Sequence, residues 1–254
     1  MLAIVSALLH ALVVAFVVQM ARENPLWSRR RIANELAWLG HDVGKDAVAK
    51  YMPRPAGRPP RPASPTWGTF VRTYAVGTIA IDFFTVPTVT FGVLSAFFVL
   101  SLERRRVLHV NVTERPTAEW AAQQIVEAVG LNDGLARLIR DRDKIFGAAF
   151  DRRVDNLGLT QFRIGARSPW QNGFAERWVG TARREIVDHV IALGEHHLRR
   201  ILRAYVAYYN ADRPHMSLVG DAPMRRDVEP PSIGRVIAMP KLGGLHHRYR
   251  RIAA

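Results

Sequence analysis

The chain has 254 residues, enough for one main domain and a small module, and is 48% hydrophobic, so a sizeable core forms without staples. It has no cysteine, which excludes disulfides, thiolate zinc sites and a cysteine nucleophile. Lys and Arg total 36 against 22 Asp and Glu, a formal charge of +14. An arginine-led excess suits phosphate and points to nucleic acid or an anionic membrane surface, although arginine-favouring codon usage gives the same composition.

Residues 1–20 form an apolar run interrupted only by Ser6, His10 and Gln19. Its length is near that of a membrane span, but no basic region precedes it and no cleavage site follows, against a secretory signal. A membrane anchor, a buried helix and an extension from a misassigned start all fit, with the anchor least expected. Residues 22–52 read as short helices: Ile32, Leu36 and Leu39 recur at helical spacing, Gly40 offers a stop, and a second helix carries Lys45 and Lys50. Two helices about a glycine turn, with cations on the second, match a helix-turn-helix DNA-binding pattern. Residues 53–66 are proline-rich and basic and read as a linker.

Beyond the linker, strands are expected over 74–86, 94–102 and 106–112, then a helix over 118–129 and a strand over 136–139. A helix near 148–157, a strand at 161–164 and helices over 173–193 and 197–209 complete the series. Strands in sequence followed by alternating strands and helices indicate an α/β fold, a mixed sheet flanked by helices. Residues 226–254 read as a basic tail.

Three acids stand out in this order. Asp82 sits in the otherwise apolar run AVGTIAIDFFTV, where a carboxylate is costly unless paired or bound to a metal. Asp141 follows the strand ARLIR, and Glu176 lies early in the helix after SPWQNG, with 34 residues between them. Asp143 is a competitor for the position of Asp141, since both would share a face of a continuing strand.

The order Asp, Asp, 34 residues, Glu resembles the DDE catalytic core of retroviral-type integrases and insertion-sequence transposases. The blocks IDFFTVPT, SPWQNGFAERW and YNADRPHMSLVGDAP resemble that family's conserved surroundings, over about residues 70–225. The segment from RENPLW to AKYM resembles the helix-turn-helix that precedes the core. The pattern departs at Arg140-Asp141-Arg142-Asp143, where the family carries serine-aspartate-asparagine-glycine; Phe146 keeps its spacing only if Asp141 is the ligand.

The resemblance implies a ribonuclease-H-like catalytic core at 67–225, behind a small all-α helix-turn-helix module at 22–52. It implies DNA transposition or integration by metal-dependent phosphodiester cleavage and strand transfer. Asp82 would bridge two Mg²⁺ ions, with Mn²⁺ as a substitute, Asp141 would complete one site and Glu176 the other. Hard oxygen ligands suit Mg²⁺, and a metal pair serves both oxygens of an in-line displacement. Arg183, seven residues after Glu176 on nearly the same helix face, is the foremost DNA-contact candidate in the core, and Arg177 and Arg213 join Lys45 and Lys50 as further ones. The RPH stretch at 213–215 equally fits a structural role pinning the last helix. The implied partners are double-stranded DNA, both element ends and target, and further copies of the chain on that DNA, in the nucleoid-associated cytoplasm of a bacterium and away from membranes. A truncated, catalytically inactive DNA-binding relic is the alternative, as is a membrane-tethered protein using residues 1–20.

Overall fold

The computed structural model describes residues 2–52, 73–130, 134–165 and 172–253, with side chains from residue 11 onward. The expected linker at 53–66 and the motif residues 168–171 lie outside the described residues. The chain divides into two compact units, Pro60–Ala207 and a second made of Met1–Pro59 with Tyr208–Ala254.

In the first unit, β1 (Thr78–Pro87), β2 (Val93–Ser101), β3 (Val107–Thr113), β4 (Arg137–Arg140) and β5 (Thr160–Arg163) form one sheet in the order β3-β2-β1-β4-β5. β1, β2 and β3 pair antiparallel, whereas β4 and β5 run parallel to β1. Parallel neighbours need crossovers, and helices α4 (Ala118–Val129) and α5 (Ala148–Asn156) supply them. Thr117 caps α4 by accepting a hydrogen bond from the Trp120 N–H.

Side chains alternate across each strand. Ile79, Ile81, Phe97 and Val99 join Ile125, Phe150 and Val154 in the core beneath α4 and α5. The other face receives α6 (Gly173–Glu185), whose Trp178 ring lies 4.1 Å from that of Phe98 and 5.9 Å from that of Phe84. The mixed sheet flanked by helices is therefore the one expected. The helix expected over 173–193 stops at Glu185: Ile186 leaves helical geometry, Val187–His189 make a single 3-10 turn, and the chain extends from Val190 until Ala192 bridges Thr88 beside β1. Four β-branched residues, Ile186, Val187, Val190 and Ile191, disfavour continuation of the α-helix through that stretch.

The second unit joins α1 (Leu2–Glu23), α2 (Arg29–Trp38) and α3 (Lys45–Tyr51) to residues far along the chain. Val17, Met20, Trp27, Ile32, Leu36, Leu39 and Val48 surround Tyr249, with Val236 and Ala238 against them. Residues read as a basic tail thus contain a hairpin, β6 (Arg235–Lys241) paired antiparallel with β7 (His246–Ile252). α7 (Glu195–Ala211) crosses the division at Tyr208. Gly40 turns between α2 and α3 at φ +80°, where an added Cβ would lie 2.7 Å from Pro231 Cδ. Among the described residues no helix is long and apolar enough to cross a membrane.

Candidate active site

Asp82 follows from the pleat of β1. With Ile79 and Ile81 turned to α4 and α5, Asp82 shares the opposite face with Phe84, beneath α6. Two hydrogen bonds hold α6 along that strand: Asn172 Nδ2 donates to the Ile81 carbonyl at 3.2 Å, and Arg183 Nη2 to the Thr85 carbonyl at 3.0 Å. Glu176 lies in the helix between these anchors, exposed in its first turn. Asn172 precedes the helix as a cap would, yet its side chain makes no cap hydrogen bond and goes to β1 instead.

Asp141 comes directly after β4, the strand parallel to β1, and is half-buried, whereas Asp143 is exposed. The Asp143 N–H donates to Asp141 Oδ1 at 3.0 Å, and the Ile145 N–H donates to Asp143 Oδ1 at 3.0 Å. Each aspartate therefore commits one oxygen to shaping the loop and keeps a second.

Burial pushes the Asp82 carboxyl up to about 7. The Phe83 main-chain N–H, 2.8 Å from Oδ1, pulls it down, while the negative charges of Asp141, then Glu176, then Asp143 push it further up. Asp141, Glu176 and Asp143 thus all lie within electrostatic reach of Asp82. Burial also raises Asp141 above the usual carboxylate range. Among the described residues no three His, Cys, Asp or Glu side chains stand close enough to hold a metal ion. The donor set still fits a hard divalent cation: it is all oxygen, and the charges acting most strongly on Asp82 are negative.

Arg140 escaped the sequence reading. Its buried guanidinium pairs with Asp151 at 2.6 Å, lies over Phe146 and Phe150, and donates to the Asp141 carbonyl at 3.1 Å. A charge ending an apolar strand and meeting its partner 11 residues later has no periodicity to reveal it.

The remaining candidates are dispersed. Arg177 is exposed beside Glu176, and Arg183 is half-buried, its guanidinium 5.8 Å from the Phe84 ring as well as bonded to Thr85. In the other unit Lys45 and Lys50 are exposed on α3. Arg213 there lies over the Tyr209 ring and 3.5 Å from His215 Nδ1, and the His215 ring meets Tyr209 edge-on at 4.6 Å.

Residues 157–223 match the family model described as "Integrase core domain", a segment that contains Glu176 and the RPH stretch but starts after Asp82 and Asp141. That segment is thus similar to an integrase core domain, and the chain builds a mixed five-stranded sheet of the kind the motifs led one to expect. Solved structures similar to this chain include the catalytic core domain of BIV integrase, at 15% identity and TM-score 0.45, covering 58% of this chain and 91% of that one. A chain of the simian T-cell lymphotropic virus intasome is similar at 12% identity and TM-score 0.48, covering 68% of this chain and 65% of that one. The HTLV-2 integrase catalytic core domain in complex with magnesium, in its dimeric form, is similar at 11% identity and TM-score 0.45, covering 54% and 88%. No curated protein sequence matches the chain.

Proposed function

We propose that the chain is the transposase of a bacterial mobile element, cleaving phosphodiester bonds at element ends and joining them to target DNA. The observation that carries this reading is the placement of the three acids, with Asp82 on β1, Asp141 directly after the parallel strand β4 and Glu176 in the helix bonded along β1, in a chain whose residues 157–223 match an integrase core domain. Asp82, Asp141 and Glu176 would hold two Mg²⁺ ions, which Mn²⁺ could replace. Bound there, the metal supplies an activated oxygen nucleophile and stabilisation of the leaving oxygen.

The chain's own residues do the positioning. β1 fixes Asp82 through its register with β2 and β4, and the Phe83 N–H orients its carboxyl by holding one oxygen. Asn172 and Arg183 keep α6, and with it Glu176, aligned on β1. The Asp143 N–H holds one carboxylate oxygen of Asp141 in place. In cleavage a water oxygen attacks phosphorus, losing a proton, and the element's 3′ oxygen leaves and takes one up; in strand transfer that 3′ hydroxyl loses its proton as it attacks a target phosphorus, and the target strand's 3′ oxygen leaves in line and is protonated.

The helix pair α2 and α3, with Lys45 and Lys50 exposed, is assigned to recognition of the element ends. Arg177, Arg183 and Arg213 are assigned to DNA contacts. Action by several copies on DNA, in the nucleoid-associated cytoplasm, belongs to the same reading, and the charge of +14 suits that DNA partner. The test is strand transfer by purified protein on an oligonucleotide bearing an element end, with and without Mg²⁺. Metal-dependent joining is expected, and its loss in Asp82→Asn and Glu176→Gln. Equal joining in EDTA, or by the two variants, would overturn the assignment.

A further inference from the structure

The turn between β2 and β3 carries three consecutive arginines, Arg104, Arg105 and Arg106. Arg105 sits there at φ 58°, a left-handed conformation in which glycine or asparagine is the unstrained choice. Its guanidinium lies 4.8 Å from the centre of the Phe174 ring. Arg177, one helical turn after Phe174 and so on the same face of α6, places its guanidinium 5.8 Å from that same ring.

Two like charges are thus gathered on one half-buried aromatic ring, from elements distant in sequence, immediately beside Glu176. An aromatic face attracts each cation, and a phosphate lying across the pair would draw on both at once. A strained backbone residue that is nonetheless arginine points the same way. We propose that Arg105, Phe174 and Arg177 form a clasp for the phosphodiester backbone of DNA, guiding one strand past the carboxylates. This rests on the reading of the chain as a DNA-cleaving enzyme and adds Arg105 and Phe174 to the strand's path. An isolated acidic peptide would offer the same charge, but repeating phosphates are the anions that reach Glu176 in that reaction.

The test is binding of the full chain to a fluorescent duplex oligonucleotide, by anisotropy over a series of salt concentrations. Each phosphate that is no longer neutralised should lower the slope of log affinity against log salt by about one. Arg105→Gly suits the left-handed backbone, so it should melt at or above the parent temperature, yet bind DNA less tightly with a slope reduced by about one. Arg177→Ala should behave likewise in binding, and Arg105→Lys should keep the parent slope. Arg153→Ala, at an exposed arginine on the α5 side of the sheet, is the control and should leave the slope unchanged. Parent-like slopes in both Arg105→Gly and Arg177→Ala would overturn the clasp while leaving the enzymatic reading intact. An equal fall in Arg153→Ala would reduce the effect to net charge and also overturn it. A parent chain that binds an acidic peptide but no duplex would overturn the DNA reading itself, and the clasp with it.

Discussion

Asp141 and Asp143 are chemically alike and two residues apart, and their surroundings separate them. Asp141 is half-buried directly after β4; Asp143 is exposed and its Oδ1 caps the loop at Ile145. Asparagine keeps the acceptor that the loop uses but lacks the charge with which a carboxylate would hold Mg²⁺. Asp141→Asn should abolish Mg²⁺-dependent strand transfer with an unchanged circular dichroism spectrum, whereas Asp143→Asn should retain measurable activity. The reverse pattern would move the ligand by two residues. A different acid governs pH dependence in the other unit. Glu35 is buried, and burial raises its carboxyl to about 7 against the lowering effects of Arg226 and Arg31. A group raised in the folded state stabilises fully below its unfolded value near 4.5, and that contribution is lost as pH rises through about 7. Glu35→Gln removes the titration, so its melting temperature relative to the parent should climb between about pH 5 and about pH 8. A constant difference across that window would dissociate Glu35 from the pH dependence.

Elements were legible where burial follows a simple period. β1 shows an apolar run broken chiefly by Asp82 because it is central in the sheet, and α4 shows both a threonine cap and a helical stripe. The three acids were singled out by order and local motif, whereas the docking of the Glu176 helix along β1, next to the parallel β4, is a tertiary fact. The hairpin β6–β7 was hidden because the inward residues of β7 include His246 and Arg251 along with Tyr249, so alternation of polarity does not track alternation of burial. Arg251 is inward because it finishes a helix. Its Nε and Nη2 donate to the Leu39 carbonyl at 3.1 and 2.7 Å, at the end of α2, while Nη1 donates to the Gly234 carbonyl at 2.8 Å. A planar fork reaches these acceptors together and a lysine ammonium does not. Arg251→Lys should therefore destabilise the unit by about 2 kcal/mol, the order of one charged hydrogen bond left unmade, measured by urea unfolding. A loss no larger than that of an exposed control such as Arg250→Lys would reject this account.

At the scale of the molecule, the unit built from both chain segments alters how deletions should be read. Removing residues 22–52 to test end recognition would also strip Tyr249 and Val236 of their packing partners. A chain ending at Asp227 tests the reciprocal dependence. Without the hairpin, Met20, Trp27 and Leu36 lose the Tyr249 side of their core, and Asn24 loses the Tyr249 hydroxyl that it bonds at 3.1 Å. Limited proteolysis should then cut within residues 1–52 first while 78–185 persists as a protected fragment, identified by mass spectrometry. Unchanged protection of 1–52 would show that the helices stand without the hairpin.

The bond between Asn24 and Tyr249 spans 225 residues of sequence. On the ribosome, α1 and α2 are made long before the strands that complete their core, and the whole sheet-bearing unit is translated in the interval. At about 5–20 residues per second this leaves the apolar face of α1 without its final partner for roughly ten seconds or more. The sheet can close on local and mid-range pairings meanwhile, so maturation should proceed from the centre of the chain outward. During that interval Val17, Met20 and Trp27 lack the Tyr249 side of their core, and a slowed translation of the last segment would lengthen the exposure.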